Sequence, residues 1–301
     1  MEKKKVFIIG NGFDLDLGWK TSFRQFIESD FHPLERMGFK CPMRDYLVSN
    51  LVDRWFDVES LLKEYASSKW TRLKADPKDE VFFDEFKTDL NMYLKREEAE
   101  AIKKDSLAIK VLGAVVNNGF FSSVYSFNYT DLHLVCQKAG IKVLLPYQSV
   151  HGSIKDNTII LGIDDKTEVR EGYSYLRKVF SEHYKSHPIR YDLQECNEVV
   201  FYGHSLGDND YPYFSDFFEE QSRCMKKGDS KYITIFTKDN ASRIQILEQL
   251  RLMNDAQTER LMNDNHFSII MTDKPNQESL NAFFKHLRKD SKTPRPDPKF
   301  Y

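Results

Sequence analysis

The chain has 301 residues, 41% of them hydrophobic, enough for one large core domain or a core domain with a second small one. Its 44 basic and 46 acidic residues nearly cancel, which excludes a field of one sign and argues against nucleic acid or an anionic membrane as the main partner. Cys41, Cys136, Cys196 and Cys224 are widely separated and show no CxxC spacing, so they read as reduced, mostly buried thiols of a cytosolic protein, with no metal expected.

In chain order, the basic start MEKKK leads into an apolar run that stops at Gly10, far short of a signal peptide or membrane span. No later run is longer, and the chain reads as folded, cytoplasmic protein from residue 1. β-Branched or aromatic runs at 5–10, 122–128, 157–163, 198–203, 232–237 and 266–272 predict strands buried on both faces. Helical patterns lie between them at 22–29, opened by a Ser22/Gln25 capping box, and at 241–253 and 278–287. From Arg44 onward no strand is expected until after Val116. There Leu47, Leu51, Trp55 and Leu62, then Phe82, Phe86, Leu90 and Tyr93, mark amphipathic helices on either side of Pro77. A weaker helical patch covers 169–192.

This alternation predicts an α/β fold with a mostly parallel, Rossmann-like sheet and helices on both faces. One domain is expected over residues 1–290, with a helical subdomain inserted at about 44–118 and a flexible tail at 291–301.

In such a sheet, ligands bind beyond the carboxyl ends of the strands, which directs attention to four loops. The first, IIGNGFDLDLGWKTSF (8–23), places Gly10, Asn11 and Gly12 after the first strand, where a GxG turn brings backbone N–H groups to a pyrophosphate. Leu15 stands where a third glycine would, and a tight βα turn without ligand explains the same residues. Asp14 is placed to receive a ribose hydroxyl or to cap the turn. In the second, YSFNYTDLHL (125–134), the Asn128 amide can donate to and accept from a sugar hydroxyl or a water. Equally, it can turn the chain into a helix capped by Thr130 or Asp131. In the third, SVHGSI (149–154), His151 has the ordinary pKa of a general base near neutrality, although most loop histidines are not catalytic.

The fourth, VVFYGHSLGDND (199–210), resembles a nucleophile elbow around Ser205, with Asp239 and His266 following in hydrolase order. An elbow needs a helix to begin at once, whereas Gly207, Asp208, Asn209 and Pro212 delay it to about Tyr211. Gly203 and Ser205 then read as contacts to a phosphate or ribose.

Taken together, IIGNGFDLDLGWKTSF, SFNYT, VHG, ILGID and YGHSLGDND resemble the AbiH family of bacterial phage abortive-infection proteins. The segment WFDVE (55–59) also resembles the family and adds Glu59 as a candidate. The motif order is similar to that of the sirtuin-like NAD-binding fold. That resemblance implies Gly10 and Gly12 at the pyrophosphate, Asn128 at the nicotinamide ribose, His151 as the base, and Gly203 with Ser205 as further ribose or phosphate contacts. It departs from the sirtuin pattern at Asn11, at Asp14 with Leu15, and at Asn128-Tyr129-Thr130, and it lacks the four-cysteine zinc module. The implied activity is hydrolysis of NAD to nicotinamide and ADP-ribose in antiphage defence, with room for a homo-oligomer and a phage-derived trigger. A serine hydrolase using Ser205 and a catalytically silent nucleotide sensor stand as alternatives.

Overall fold

A computed structural model describes residues 4–31, 41–51, 58–67, 75–142, 146–223 and 230–291. The expectations for Trp55, Cys224, the side chain of Leu51 and the tail at 292–301 lie outside these residues.

The strands β1 (Lys5–Ile9), β2 (Phe121–Ser126), β3 (Gln148–Ser149), β4 (Glu198–Tyr202), β5 (Tyr232–Thr237) and β6 (His266–Met271) form one sheet in the order β3-β2-β1-β4-β5-β6. Every pairing is parallel. This is the doubly wound order whose switch point falls between β1 and β4.

Alternation along β1 divides the core. Phe7 and Ile9 pack with α1 (Asn11–Asp16), α6 (Leu107–Asn118), α7 (Leu132–Ala139) and α12 (Gln277–Ser291). Val6 and Ile8 face α8 (Ile189–Glu195), α9 (Tyr211–Gln221), α10 (Asn240–Met253) and α11 (Thr258–Asp264). The sheet is therefore apolar on both faces, as the unbroken apolar runs require. Cys136 and Cys196 lie in these two cores, and Cys41, Cys136 and Cys196 are all free and buried.

A third core joins the helices between β1 and β2. Phe26 of α2 (Phe23–Ile27) packs with α3 (Pro42–Leu51), α4 (Val58–Ser67) and α5 (Pro77–Ala99). The Ser22/Gln25 capping box is present, and α5 starts with Asp76 as N-cap and Pro77 in its first turn. At the centre lies Asp79, fully buried, whose Oδ1 accepts the Met43 N–H at 2.9 Å. Its Oδ2 accepts the hydroxyls of Tyr65 and Tyr173 at 2.6 and 2.7 Å.

Two expectations are corrected. The run at 157–163 is not a sheet strand: Asn157 and Gly162 have positive φ, and Ile159, Leu161 and Ile163 turn into the third core, leaving only an isolated bridge from Ile163 to Arg177. Burial without ladder partners produces the same apolar pattern as a strand. The patch at 169–192 forms 3-10 turns at Ser174–Leu176 and Lys178–Phe180, and α8 begins only after Pro188. Among the described residues no helix is long and apolar enough to cross a membrane.

Candidate active site at the strand ends

Register brings the four loops to one level. Ile9 of β1 pairs with Ser126 of β2 and Tyr202 of β4, and Ser126 pairs with Ser149 of β3. Gly10, Phe127, Val150 and Gly203 therefore leave the sheet side by side. Asn128 and His151 each stand two residues beyond the Ser126/Ser149 pair, so adjacent strands deliver both to the same edge of the switch point. The Phe127 ring packs edge-on against His151 and His204, with centroids 5.2 and 4.5 Å away.

The glycines of the first loop serve the fourth. Gly10 donates its N–H to Tyr202 O at 2.9 Å and Gly12 to Gly203 O at 2.8 Å. A Cβ on Gly10 would come within 2.6 Å of His204 Cα, and one on Gly12 within 2.6 Å of Gly203 Cα. A turn open to a pyrophosphate was the expectation for these positions; the space a Cβ would take at both is filled by the loop after β4. Gly203 has φ +66, the left-handed region where glycine is favoured, and packs back on the same turn. Asn11 is exposed and accepts the Thr21 hydroxyl at 2.6 Å.

Asp14 and Asn128 are both buried. Thr130 donates its hydroxyl to Asp14 Oδ2 at 2.8 Å, leaving Asp131 as the N-cap of α7. Burial pushes the Asp14 carboxyl up to about 7, against the opposing pull of Thr130 and Asn128 and with a further push from Glu98. Among the described residues neither Nδ2 nor Oδ1 of Asn128 meets a partner in hydrogen-bond geometry. The amide is the neighbour of the Asp14 carboxyl and favours its ionised form.

His151 sits in a charged cluster. Its Nε2 lies 3.4 Å from Lys178 Nζ and 3.2 Å from Asp210 Oδ1. With the proton on Nε2 the ring donates toward Asp210; with it on Nδ1 the ring accepts from Lys178. Burial, then Lys178, push its pKa down to about 4, so the ring is neutral near pH 7. The near-neutral titration expected of His151 is thus replaced by a much weaker basicity, because desolvation and a neighbouring cation both oppose the imidazolium.

Burial would raise Asp210, but His151 and Lys178 hold its carboxyl well below the usual range. Leu206 donates its N–H to His204 Nδ1 at 2.9 Å, which leaves the other ring nitrogen, 3.4 Å from Asp210 Oδ2, to carry the proton. Lys178 donates to Glu59 Oε2 at 2.9 Å, so Glu59 of α4 does reach this cluster. Gly152 has φ +80, and the Thr158 carbonyl occupies the space of a Cβ.

The helical insert borders the site through α4. Besides Glu59, Lys63 bridges Asp164 at 3.1 Å and Asp208 at 3.0 Å. The Tyr129 hydroxyl, beside Glu59 and Asp210, is held well above its usual pKa by burial and these carboxylates.

Ser205 is exposed, and its proposed hydrolase partners are elsewhere. Asp239 caps α10 by accepting the Ser242 N–H at 2.9 Å. His266 begins β6 and stacks on Tyr232 at the opposite end of the sheet. A strand of this length separates the ends by roughly 17–20 Å, so the triad does not assemble. The 3-10 turn Asp208–Asp210 and the start of α9 at Tyr211 match the delayed helix that argued against an elbow.

Sequence reasoning missed Lys178, His204 and Asp210. His204 and Asp210 stood inside the fourth motif but were not singled out; the position of His204 directly after a strand-end glycine was the available signal. Lys178 carried none, since nothing nearby in sequence marks its burial. A cavity of about 450 Å³ between α6 and α12, lined by Gly113, Asn117 and Phe284 among others, shares no residue with the strand-end cluster.

Among curated proteins no relative matches the chain. A solved structure described as the structural basis for the mechanism and regulation of Sir2 enzymes is 13% identical, covering 85% of this chain and 93% of its own, with a TM-score of 0.35. That likeness is too low to add to the strand order above. The family model described as bacteriophage abortive infection AbiH matches residues 6–227, a stretch that contains every residue of the strand-end cluster, and the chain belongs to the AbiH family.

Proposed function

We propose that this AbiH protein acts in phage abortive infection by binding NAD at the carboxyl ends of β1–β4 and hydrolysing the nicotinamide–ribose bond. The observation that carries the reading is Asn128: a buried amide whose two polar atoms find no hydrogen-bond partner among the described residues. Each unpaired buried polar group costs about 1–3 kcal/mol, a cost a ligand's hydroxyls or a bound water would remove. The resemblance of the ordered motifs to NAD-binding ones suggests which ligand. In this reading Gly203 and Ser205 contribute further ribose or phosphate contacts, whereas Gly10 and Gly12 tie the loop after β1 to the loop after β4.

Cleavage of the bond builds positive charge at the anomeric carbon, as in other oxocarbenium-like displacements. Asn128 orients the ribose and the attacking water. His151, neutral near pH 7, offers a hydrogen bond to a ribose hydroxyl, and the Asp210 carboxylate supplies negative charge behind it.

The low basicity of His151 favours a second reading, a nucleotide-binding sensor without turnover. Incubation of purified protein with NAD and related nucleotides, followed by mass spectrometry, separates the two. Nicotinamide with ADP-ribose supports the hydrolase; saturable binding without product supports the sensor.

A further inference from the structure

We infer that Asp14 is the proton-accepting group of this site, taking the proton of the water or hydroxyl seated against Asn128. The inference rests on the nucleotide-binding reading above and assigns a role that the motifs give to His151.

Three features place Asp14 in that role. It is buried, and among the described residues the charged group that acts on it is Glu98, a like charge. One of its oxygens is fixed by the Thr130 hydroxyl at 2.8 Å, which orients the carboxyl without neutralising it. The neighbouring Asn128 amide is buried, and among the described residues neither its donor nor its acceptor meets hydrogen-bond geometry, so a hydroxyl that both donates and accepts is the chemistry that matches amide and carboxyl. The surroundings also poise the group, since burial brings its pKa to about 7, close to the value at which a base is most effective at neutral pH. His151, pushed down to about 4 by burial and Lys178, is not so poised.

The step balances without another reactant. An O–H bond of water breaks as its oxygen bonds to the anomeric carbon. The C–N bond to nicotinamide breaks, and its electron pair neutralises the pyridinium nitrogen. The proton goes to the Asp14 carboxylate and later to solvent, giving nicotinamide, ADP-ribose and one proton.

The test uses the full chain with Asp14→Asn, which keeps an oxygen for the Thr130 hydroxyl, and with Thr130→Val, which removes a contact that lowers the Asp14 pKa. Nicotinamide release is measured against pH. Asp14→Asn is expected to lose about 10²–10⁴-fold in kcat. The rise of activity through about pH 7 should persist in His151→Gln, move to higher pH in Thr130→Val and vanish in Asp14→Asn. Wild-type kcat with an unchanged pH limb in Asp14→Asn would overturn the inference. If the wild type releases no nicotinamide, the turnover reading fails separately. The Asp14 assignment is then decided by calorimetry of ADP-ribose binding at pH 7 in two buffers of different ionisation enthalpy. A proton exchanged by the wild type and absent in Asp14→Asn supports it; equal proton counts, or no binding, overturn it.

Discussion

Gly12 donates its N–H to the carbonyl of Gly203 at 2.8 Å, which locks the turn after β1 to the turn after β4 across the switch point of the sheet. The contact is possible because neither residue carries a Cβ. Gly12→Ala and Gly203→Ala are each expected to destabilise the protein by about 1–3 kcal/mol through overpacking, with roughly 1 kcal/mol more at Gly203 for its positive φ. Urea unfolding should show a lower midpoint at unchanged slope. Stability equal to wild type in both variants would refute this account of the glycines.

Lys178 and Glu59 form a pair whose side chains are 7% and 14% exposed, with His151 3.4 Å from the ammonium. Removal of one partner leaves the other charged in a poorly solvated place, so Lys178→Met should cost about 3–5 kcal/mol. The double variant Lys178→Met/Glu59→Gln should be less destabilised than the sum of the two single changes. A double-mutant cycle measures this; additivity would show that the pair is not coupled. In Lys178→Met that remains folded, the His151 pKa followed by NMR should rise, because Lys178 contributes to its depression.

His151 and Asp14 act oppositely on stability. His151 titrates at about 4 in the folded chain against its ordinary 6.5, so the unfolded chain binds more protons between those values. Its contribution is present above 6.5 and is lost as pH falls toward 4, by an amount on the order of 3 kcal/mol. Asp14 titrates at about 7 against 3.8, so the folded chain binds more protons between them. Its contribution is complete below 3.8 and is lost as pH rises through 7, by an amount on the order of 4 kcal/mol. Relative to wild type, His151→Gln should therefore gain stability at pH 5 compared with pH 7, and Asp14→Asn at pH 8 compared with pH 5. Chemical denaturation across this range checks both signs.

Ser205 is exposed, while Asp239 caps α10 and His266 lies at the far end of the sheet. A fluorophosphonate probe should leave the protein unlabelled under conditions that label a serine hydrolase. Stoichiometric labelling at Ser205 would reinstate the hydrolase.

Sheet and loops were legible to the extent that local pattern reports burial. β1, β2, β4, β5 and β6 announced themselves as apolar runs, and α2, α10 and α12 through caps and spacing. The run at 157–163 misled because a coil sealed beneath helices is as apolar as a strand. β3 escaped notice because two residues, Gln148 and Ser149, carry no pattern. At the strand ends, Asn128 and His151 drew attention because each follows a strand in a recognisable motif, and the structure places them side by side there. Lys178 was not, because its importance arises from contacts with Glu59, 119 positions earlier, and with His151. The lowered basicity of His151 was out of reach for the same reason: desolvation and a distant lysine set it, and neither is local in sequence.

The central claim is most directly tested by nicotinamide release from NAD, measured side by side for wild type and Asn128→Ala, with and without extract from phage-infected cells. The account predicts release by the wild type in at least one condition and a loss of roughly 100-fold or more in the variant, within the range for a group acting at the reacting centre. Equal release by both proteins, or none from the wild type in either condition, would contradict it.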